Sequence, residues 1–348
     1  MPRLAFAIPG DLDLPTGGYG YDRRLIAGLT GLGWEVEHVA LPAGYPEPDE
    51  AARAATRERL AQIAPGVPLM VDGLAFGVMA EEAAVLSRLR PLVALVHHPL
   101  AHETGLPAER GARLRASETA ALAHAAAVVV TSPATAAALT AEFAVPPGRI
   151  TVAVPGTDRA APARGSGGPG VRLLSVGSLL PRKGHGDLVA ALAGLAGLDW
   201  SLDIVGDATL DPAHAAQLRA AVAAHGLDHR VRLHGALPRA ALAAFYDGAD
   251  LFVLASHYEG YGMAYAEALA HGLPVVGTTG GAVAQTVGEG GTLVAPGDVA
   301  ALADALRRLI TDPAFQAERA AAARRAGAAL PDWDQTAARV AATLGSLS

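Results

Sequence analysis

Short, unbroken apolar runs, each followed by an Ala/Leu-rich segment of helical length, constrain this chain more than any other feature. LAFAI (4–8), WEVEHVAL (34–41), LMVDG (69–73), LVALVHH (92–98), AVVVTS (127–132) and RITVAVPG (149–156) read as six strands. VRLLSVGS (171–178), WSLDIVGD (200–207), RVRLHGAL (230–237), ADLFVLAS (249–256), LPVVGT (273–278) and GTLVAPG (291–297) read as six more. Continuous β-branched runs of this kind belong to parallel strands buried on both faces, and the intervening helices supply the two covers. The alternation predicts an α/β chain of two doubly wound, Rossmann-like domains.

Between the two series lies TDRAAPARGSGGPG (157–170), rich in Gly, Pro and Ser, which reads as a linker. The expected domains are 1–160, then a linker over 161–170, then 171–330. The terminal segment 331–348 contains PDWDQTAARVAATLGSL, a further helix whose apolar stripe must be buried, expected against the first domain. A chain of 348 residues, 51% hydrophobic, is long enough for two cores.

Composition then removes several function classes. Net charge is −7, aromatics make up 5%, and no Lys/Arg block stands out, so nucleic acid is not an expected partner. The chain has no cysteine, which excludes disulfides, thiolate catalysis and Cys-ligated zinc. The opening MPRLAFAIPGDLDLP carries too short an apolar run for a signal peptide and reads as a first strand. No apolar stretch reaches the length of a membrane span, so the expectation is a soluble, cytoplasmic protein with peripheral membrane association at most.

In open α/β sheets ligands bind beyond the carboxyl ends of the strands, and four such ends carry polar chemistry. In IPGDLDLPTGGYGYDRR (8–24), Gly17 and Gly18 precede a helix expected to begin near Tyr21–Asp22. Their bare backbone suits close approach of an anion or sugar, although a tight turn alone would also demand glycine. In LVALVHHPLAHETGL (92–106), His97 and His98 close a strand, with His102 and Glu103 in the next loop. HExxH spacing is absent and Pro99 breaks the segment, so a sugar-binding or a structural histidine is favoured over a metal ligand. In SVGSLLPRKGHGDLVAAL (175–192), Arg182 and Lys183 stand beside a glycine turn before a helix expected near Asp187. Two fixed cations there suit a pyrophosphate, while the plain alternative is a solvated basic turn.

The fourth is SHYEGYGMAYAEALAHGLPVVGTTGG (256–281), with Glu259 in a loop and Glu267 on the following helix. Gly260 and Gly262 would expose N–H groups at that helix start, where phosphate is favoured, and each carboxylate can accept hydrogen bonds from vicinal hydroxyls.

Taken together, these motifs resemble the retaining glycosyltransferases of family 4, which have the GT-B fold of two Rossmann-like domains facing across a cleft. The resemblance is carried by E-x7-E (Glu259 to Glu267), by G-x4-RKG (Gly177 to Gly184), by VGD (205–207) and by HGAL (234–237), in that family's order. It extends from the Gly17–Gly18 loop to the terminal helix, which in the family crosses back to the first domain.

The resemblance implies transfer of a hexosyl group from a UDP- or GDP-sugar to a hydroxyl acceptor in carbohydrate biosynthesis, by a front-face mechanism without metal or cofactor. Arg182 and Lys183 would hold the donor diphosphate. Glu259 would hold the sugar hydroxyls, with backbone amides of Gly260, Tyr261, Gly262 and Met263 on sugar or phosphate. Glu267 would bind the ribose diol, Gly17 and Gly18 would lie near the phosphate, and the backbone around Gly235 would line the base pocket. His97, or else His98, would reach the sugar. The D-x-D in DLDLP (11–15) lies in the wrong context for a metal-chelating pair. The acceptor, a glycan, small molecule or lipid, would meet loops near 42–50 and 99–110. A sugar-nucleotide epimerase and a non-catalytic sugar-nucleotide-binding protein are the alternatives.

Overall fold

The computed structural model describes residues 1–347. Ser348, the last residue of the expected segment 331–348, lies outside the described residues. The chain divides into two compact units, Met1–Gly156 joined by the residues from Pro331 onward, and Thr157–Leu330.

In the first unit six strands are arranged β2-β1-β3-β4-β5-β6, all parallel. They are β1 (Arg3–Pro9), β2 (Glu35–Leu41), β3 (Leu69–Asp72), β4 (Leu92–Val96), β5 (Ala127–Val130) and β6 (Ile150–Val152). Alternate residues of the central strands enter two cores, one on each face. Ala5, Ala7, Val71 and Ala94 lie on one side, and Leu4, Phe6, Ile8, Met70 and Leu95 on the other.

The helix Trp333–Gly345 completes the second of these cores, where Val340 and Leu344 join Leu25 and Leu29. Its approach is close. A Cβ on Gly28 would lie 2.6 Å from the Cβ of Ala337, and one on Gly156 would lie 2.3 Å from the backbone nitrogen of Trp333. Thr336 Oγ1 donates to Val154 O at 2.7 Å. Thr336→Val removes that bond, and is expected to lower stability by about 0.5–1.5 kcal/mol in chemical denaturation of the full chain.

In the second unit the strands are β7 (Val171–Val176), β8 (Trp200–Val205), β9 (Val231–Leu233), β10 (Leu251–Val253), β11 (Val275–Thr278) and β12 (Gly291–Val294). Their order is β12-β11-β10-β7-β8-β9, again all parallel. All twelve apolar runs of the sequence are therefore strands. The division of the chain falls between Gly156 and Thr157 rather than at 160. Residues 161–170 are not a free tether, because they run along the second unit. Ala163 N–H donates to His271 O at 2.8 Å, Arg164 N–H to Asp247 O at 2.9 Å and Ser166 N–H to Asp250 Oδ1 at 3.0 Å. A segment without regular structure still has to satisfy its backbone, and here the neighbouring helix ends and strand do so.

Each sheet reverses direction once, and that point fixes where chemistry can sit. In the first sheet the reversal lies between β1 and β3, in the second between β7 and β10. Among the described residues no helix is long and apolar enough to cross a membrane.

Candidate functional site

In the second unit, the loops leaving β7 and β10 meet at the reversal point and are joined by their own backbones. His257 N–H donates to Arg182 O at 2.7 Å, and Arg182 Nη1 donates to Tyr258 O at 2.8 Å. Lys183 Nζ then lies 2.7 Å from Glu259 Oε1, and Arg182 Nη1 lies 3.5 Å from Glu259 Oε2. The three predicted residues converge although 76 positions separate Lys183 from Glu259. Glu259 is buried, which opposes its charge, but the adjacent Lys183 and Arg182 outweigh this and hold its carboxyl below the usual range.

Glycines make this convergence possible. Arg182 and Lys183 lie in a short turn (Pro181–Lys183) that Gly184 ends in the left-handed region, at φ 64°. The following helix begins at His185, two residues before the expected start at Asp187, because Gly184 serves as its cap. Buried His185 is pushed down to about 4 by desolvation, so its neutral ring donates from Nε2 to Gly177 O at 3.2 Å. On the other side, the TTGG segment supports the Glu259 loop from beneath. Ala282 N–H donates to Glu259 O at 2.8 Å, and a Cβ on Gly281 would lie 2.2 Å from that oxygen.

Gly262, at φ 95°, caps the helix Met263–Ala270, so the chain from Gly260 to Met263 leads into a helix N-terminus as predicted. Tyr261 within it is mostly buried, and burial pushes its hydroxyl up to about 12. Glu267 is placed apart from the cation pair's contact with Glu259, on the helix, where its Oε2 accepts the hydroxyl of Tyr246 at 2.9 Å. Tyr246 stacks on His271 at 5.1 Å, which fixes its ring. Gly235, at φ 69°, follows β9, and its carbonyl accepts Gly206 N–H at 2.9 Å. A Cβ on Gly235 would meet open space, so its backbone is accessible. The neighbouring His234 is tied by Nε2 to Asp203 Oδ1 at 2.6 Å.

The first unit carries its own cluster at its reversal point. The helix after β1 starts at Gly17, not near Tyr21, because Thr16 caps it by accepting Tyr19 N–H. Gly17 and Gly18 are thus the first helical residues, whose N–H groups have no acceptor within the helix. β4 ends at Val96, and His97 and His98 follow it, leading to a turn at Leu100–His102. His97 lies against Gly18, where an added Cβ would be 3.3 Å from its Cδ2. His98 instead lies 3.4 Å from Glu103.

Sequence reading missed the partners of His97. Its Nε2 lies 3.2 Å from Asp22 Oδ1 and 3.3 Å from Asp72 Oδ2, and both carboxylates are buried. Burial works against charge on the ring, but the charges and hydrogen bonds of Asp22 and Asp72 outweigh it and lift His97 well above the ordinary imidazole range. Asp72 was visible as an acid closing an apolar run, LMVDG. Asp22 was obscured by the late helix start. The donor atoms of Asp22, Asp72 and His97 lie within 4.8 Å of one another. Distances of 3.2 and 3.3 Å are those of one proton-bearing nitrogen shared by two carboxylates, which accounts for the geometry without a metal.

The HHPLAHETGL loop borders a cavity of about 820 Å³ in the first unit, lined by Ala101, Glu103, Leu106 and Arg115 among others. Arg115 and His102 both pair with Glu142 at its edge.

Comparison with known proteins places this architecture. Residues 161–327 match the family model "Glycosyl transferases group 1", and residues 23–161 match "Glycosyltransferase Family 4". Glycogen synthase of Mycobacterium tuberculosis is 37% identical over 200 residues, 55% of this chain and 47% of that protein. The MMP alpha-(1->4)-mannosyltransferase of Mycolicibacterium hassiacum is 28% identical over 316 residues, 86% of this chain and 75% of that protein. The match thus spans about half the length of the first of these curated relatives. Among solved structures, sucrose-phosphate synthase from Thermosynechococcus elongatus superposes with a TM-score of 0.85 at 23% identity, covering 100% of this chain and 99% of that one. Anabaena Alr3699/HepE in complex with UDP and glucose gives 0.78 at 19% identity, covering 100% of both. The fold is GT-B, and the chain belongs to the group 1, family 4 glycosyltransferases.

Proposed function

We propose that this chain moves a hexosyl group from a UDP- or GDP-sugar to a hydroxyl acceptor with retention at the anomeric carbon. The observation that carries the reading is the convergence of Lys183, Arg182 and Glu259 where the second sheet reverses. A pair of fixed cations beside a helix start suits a diphosphate, and a buried carboxylate between them suits sugar hydroxyls. The names of the curated relatives, a glycogen synthase and a mannosyltransferase, support a hexose.

In this reading the bond from the anomeric carbon to the diphosphate oxygen breaks, and its electron pair stays on that oxygen. The same oxygen takes the proton of the acceptor hydroxyl, whose oxygen bonds to the anomeric carbon on the face just vacated. The chain's task is electrostatic: Arg182 and Lys183 hold the charge that develops on the departing nucleoside diphosphate. Glu259 orients the sugar, Glu267 takes the ribose diol, and the backbone of Gly260–Met263 donates to sugar or phosphate. Gly17 and Gly18 offer free N–H groups to phosphate, Gly235 lines the base, and His97 donates to the sugar. None of these roles calls for a metal. Acceptor recognition is assigned to the cavity beside Arg115.

Thermal unfolding with UDP, GDP, ADP and dTDP, each with and without Mg²⁺, tests the reading. A nucleotide at 100 times its Kd adds about 2.7 kcal/mol, a shift of several degrees. The expected result is a shift by one nucleotide, unchanged by Mg²⁺. If a nucleotide binds but no sugar is ever transferred from its sugar conjugate, the binding-protein alternative replaces this one.

A further inference from the structure

The geometry points to Asp22 and Asp72 as positioning residues that clamp His97 through Nε2, leaving Nδ1–H as the donor that meets the sugar. This rests on the reading of His97 as a sugar-contacting residue.

Both carboxylates approach the same ring nitrogen, at 3.2 and 3.3 Å. The imidazolium Nε2–H is shared between them, and among the described residues no protein group holds Nδ1. His97 keeps 21% of its side chain exposed, whereas Asp22 has none and Asp72 only 5%. The exposed part of the trio is therefore the ring.

Further contacts hold the clamp in place. Asp72 Oδ1 accepts Leu74 N–H at 2.9 Å, so its second oxygen is held toward the ring. Thr131 Oγ1 donates to the carbonyl of His97 at 3.0 Å. The ring of Tyr21 meets the imidazole edge-on, with centroids 5.3 Å apart and planes at 81°. Gly18 lies against the Cδ2–Nε2 edge of the ring. Asp22 Oδ2 is buried without a hydrogen-bond partner, a cost that its contact with a charged ring can offset and a neutral ring cannot.

The titratable groups that face the ring are the Asp22 and Asp72 carboxylates, with Tyr19 and Arg23 next to the acids, while the Tyr21 hydroxyl donates to Ala153 O at 2.9 Å. Tyr19 is pushed up to about 12, first by burial and then by Asp72 and Asp22, so it stays neutral. Burial, with the charge of Asp72, pushes Asp22 up to about 6, against the pull of His97 and, more weakly, Arg23 toward its charged form. The surroundings therefore favour a protonated imidazole, and a protonated ring is a donor at both nitrogens. With Nε2 taken, Nδ1–H faces whatever oxygen arrives.

Long-range proton–nitrogen correlation spectra of the ¹⁵N-labelled full chain read the ring directly, with His97→Gln to assign its signals. In the wild type the ring is expected to stay fully protonated from about pH 5.5 to about pH 8, where an ordinary imidazole titrates near 6.5. Asp22→Asn and Asp72→Asn, close in shape to the originals, are each expected to bring the titration into that window. Their transfer rate should then fall as pH rises through the new midpoint, a dependence the wild type lacks. A wild-type ring that titrates near 6.5, or ring signals broadened by added Mn²⁺, would overturn the clamp. Unchanged turnover in His97→Gln would overturn the donor assignment. The titration needs no transfer reaction, so its failure is distinguishable from a failure of the transferase reading, which the nucleotide panel tests separately.

Discussion

Lys183→Ala is expected to lower the turnover of sugar transfer by about 10²- to 10³-fold, the range seen when one preorganised group that stabilises developing charge is removed. Lys183 is the better target than Arg182 because the two cations differ in their other work. Arg182 divides its guanidinium between Glu259 and the carbonyl of Tyr258, so removing it also loosens the loop. Lys183 points its ammonium at Glu259 from 2.7 Å. The stability readout then separates electrostatics from folding. In Lys183→Ala the buried Glu259 keeps the longer contact to Arg182 and its hydrogen bond with Ser256, and breaking a buried pair from one side costs about 3–5 kcal/mol. Adding Glu259→Gln removes the stranded charge, so the double variant should regain part of that stability while remaining slow.

The wild-type pair also sets a pH dependence. Glu259 is held below its ordinary value of 4.5, so its contribution is complete above that pH and is lost as pH falls through the lower, folded value. Glu259→Gln should not share that acid loss. Turnover of Lys183→Ala within a few-fold of wild type, at saturating donor, would remove the cation from the mechanism.

The central strands were legible because burial on both faces writes a short apolar run, whereas the edge strands β2 and β9 carry charged residues within theirs. The spatial order of the strands was not legible. Nothing in ADLFVLAS says that it pairs with VRLLSV rather than with its sequence neighbour RVRLHG, yet that pairing is what brings Glu259 to Lys183. The E-x7-E and RKG motifs therefore named the residues, and topology supplied their meeting. Local chemistry was misread where two signals competed. Gly17–Gly18 looks like a turn, but Thr16 just before it is a capping residue, and the cap prevailed. That error hid Asp22, which sits on the helix face turned to His97. Asp72 and His97 are joined only because β3 and β4 are neighbours, and no local pattern records a contact between two strand ends.

Gly184→Ala and Gly186→Ala, two residues apart, are expected to change stability in opposite directions. Gly184 lies at φ 64°, ψ 24°, where a side chain costs about 1–2 kcal/mol by itself. The greater part of the cost is steric. A Cβ there would stand 1.9 Å from the carbonyl oxygen of Ala255, which belongs to the backbone just beyond β10 and cannot rotate away. Relief requires the β7 and β10 loops to separate, and those loops hold Lys183 against Glu259. The expected loss is about 3 kcal/mol or more, together with most of the nucleotide affinity. Gly186 is exposed, sits inside the helix His185–Ala193, and has open space where a Cβ would go. Alanine there should stabilise by about 0.4–1 kcal/mol through the reduced freedom of the unfolded chain. Chemical denaturation of both variants beside the wild type reads the two signs in one experiment. Equal stability of the pair would mean that the loops do not touch at Gly184, and the proximity that aligns the cations with the carboxylate would lose its structural cause.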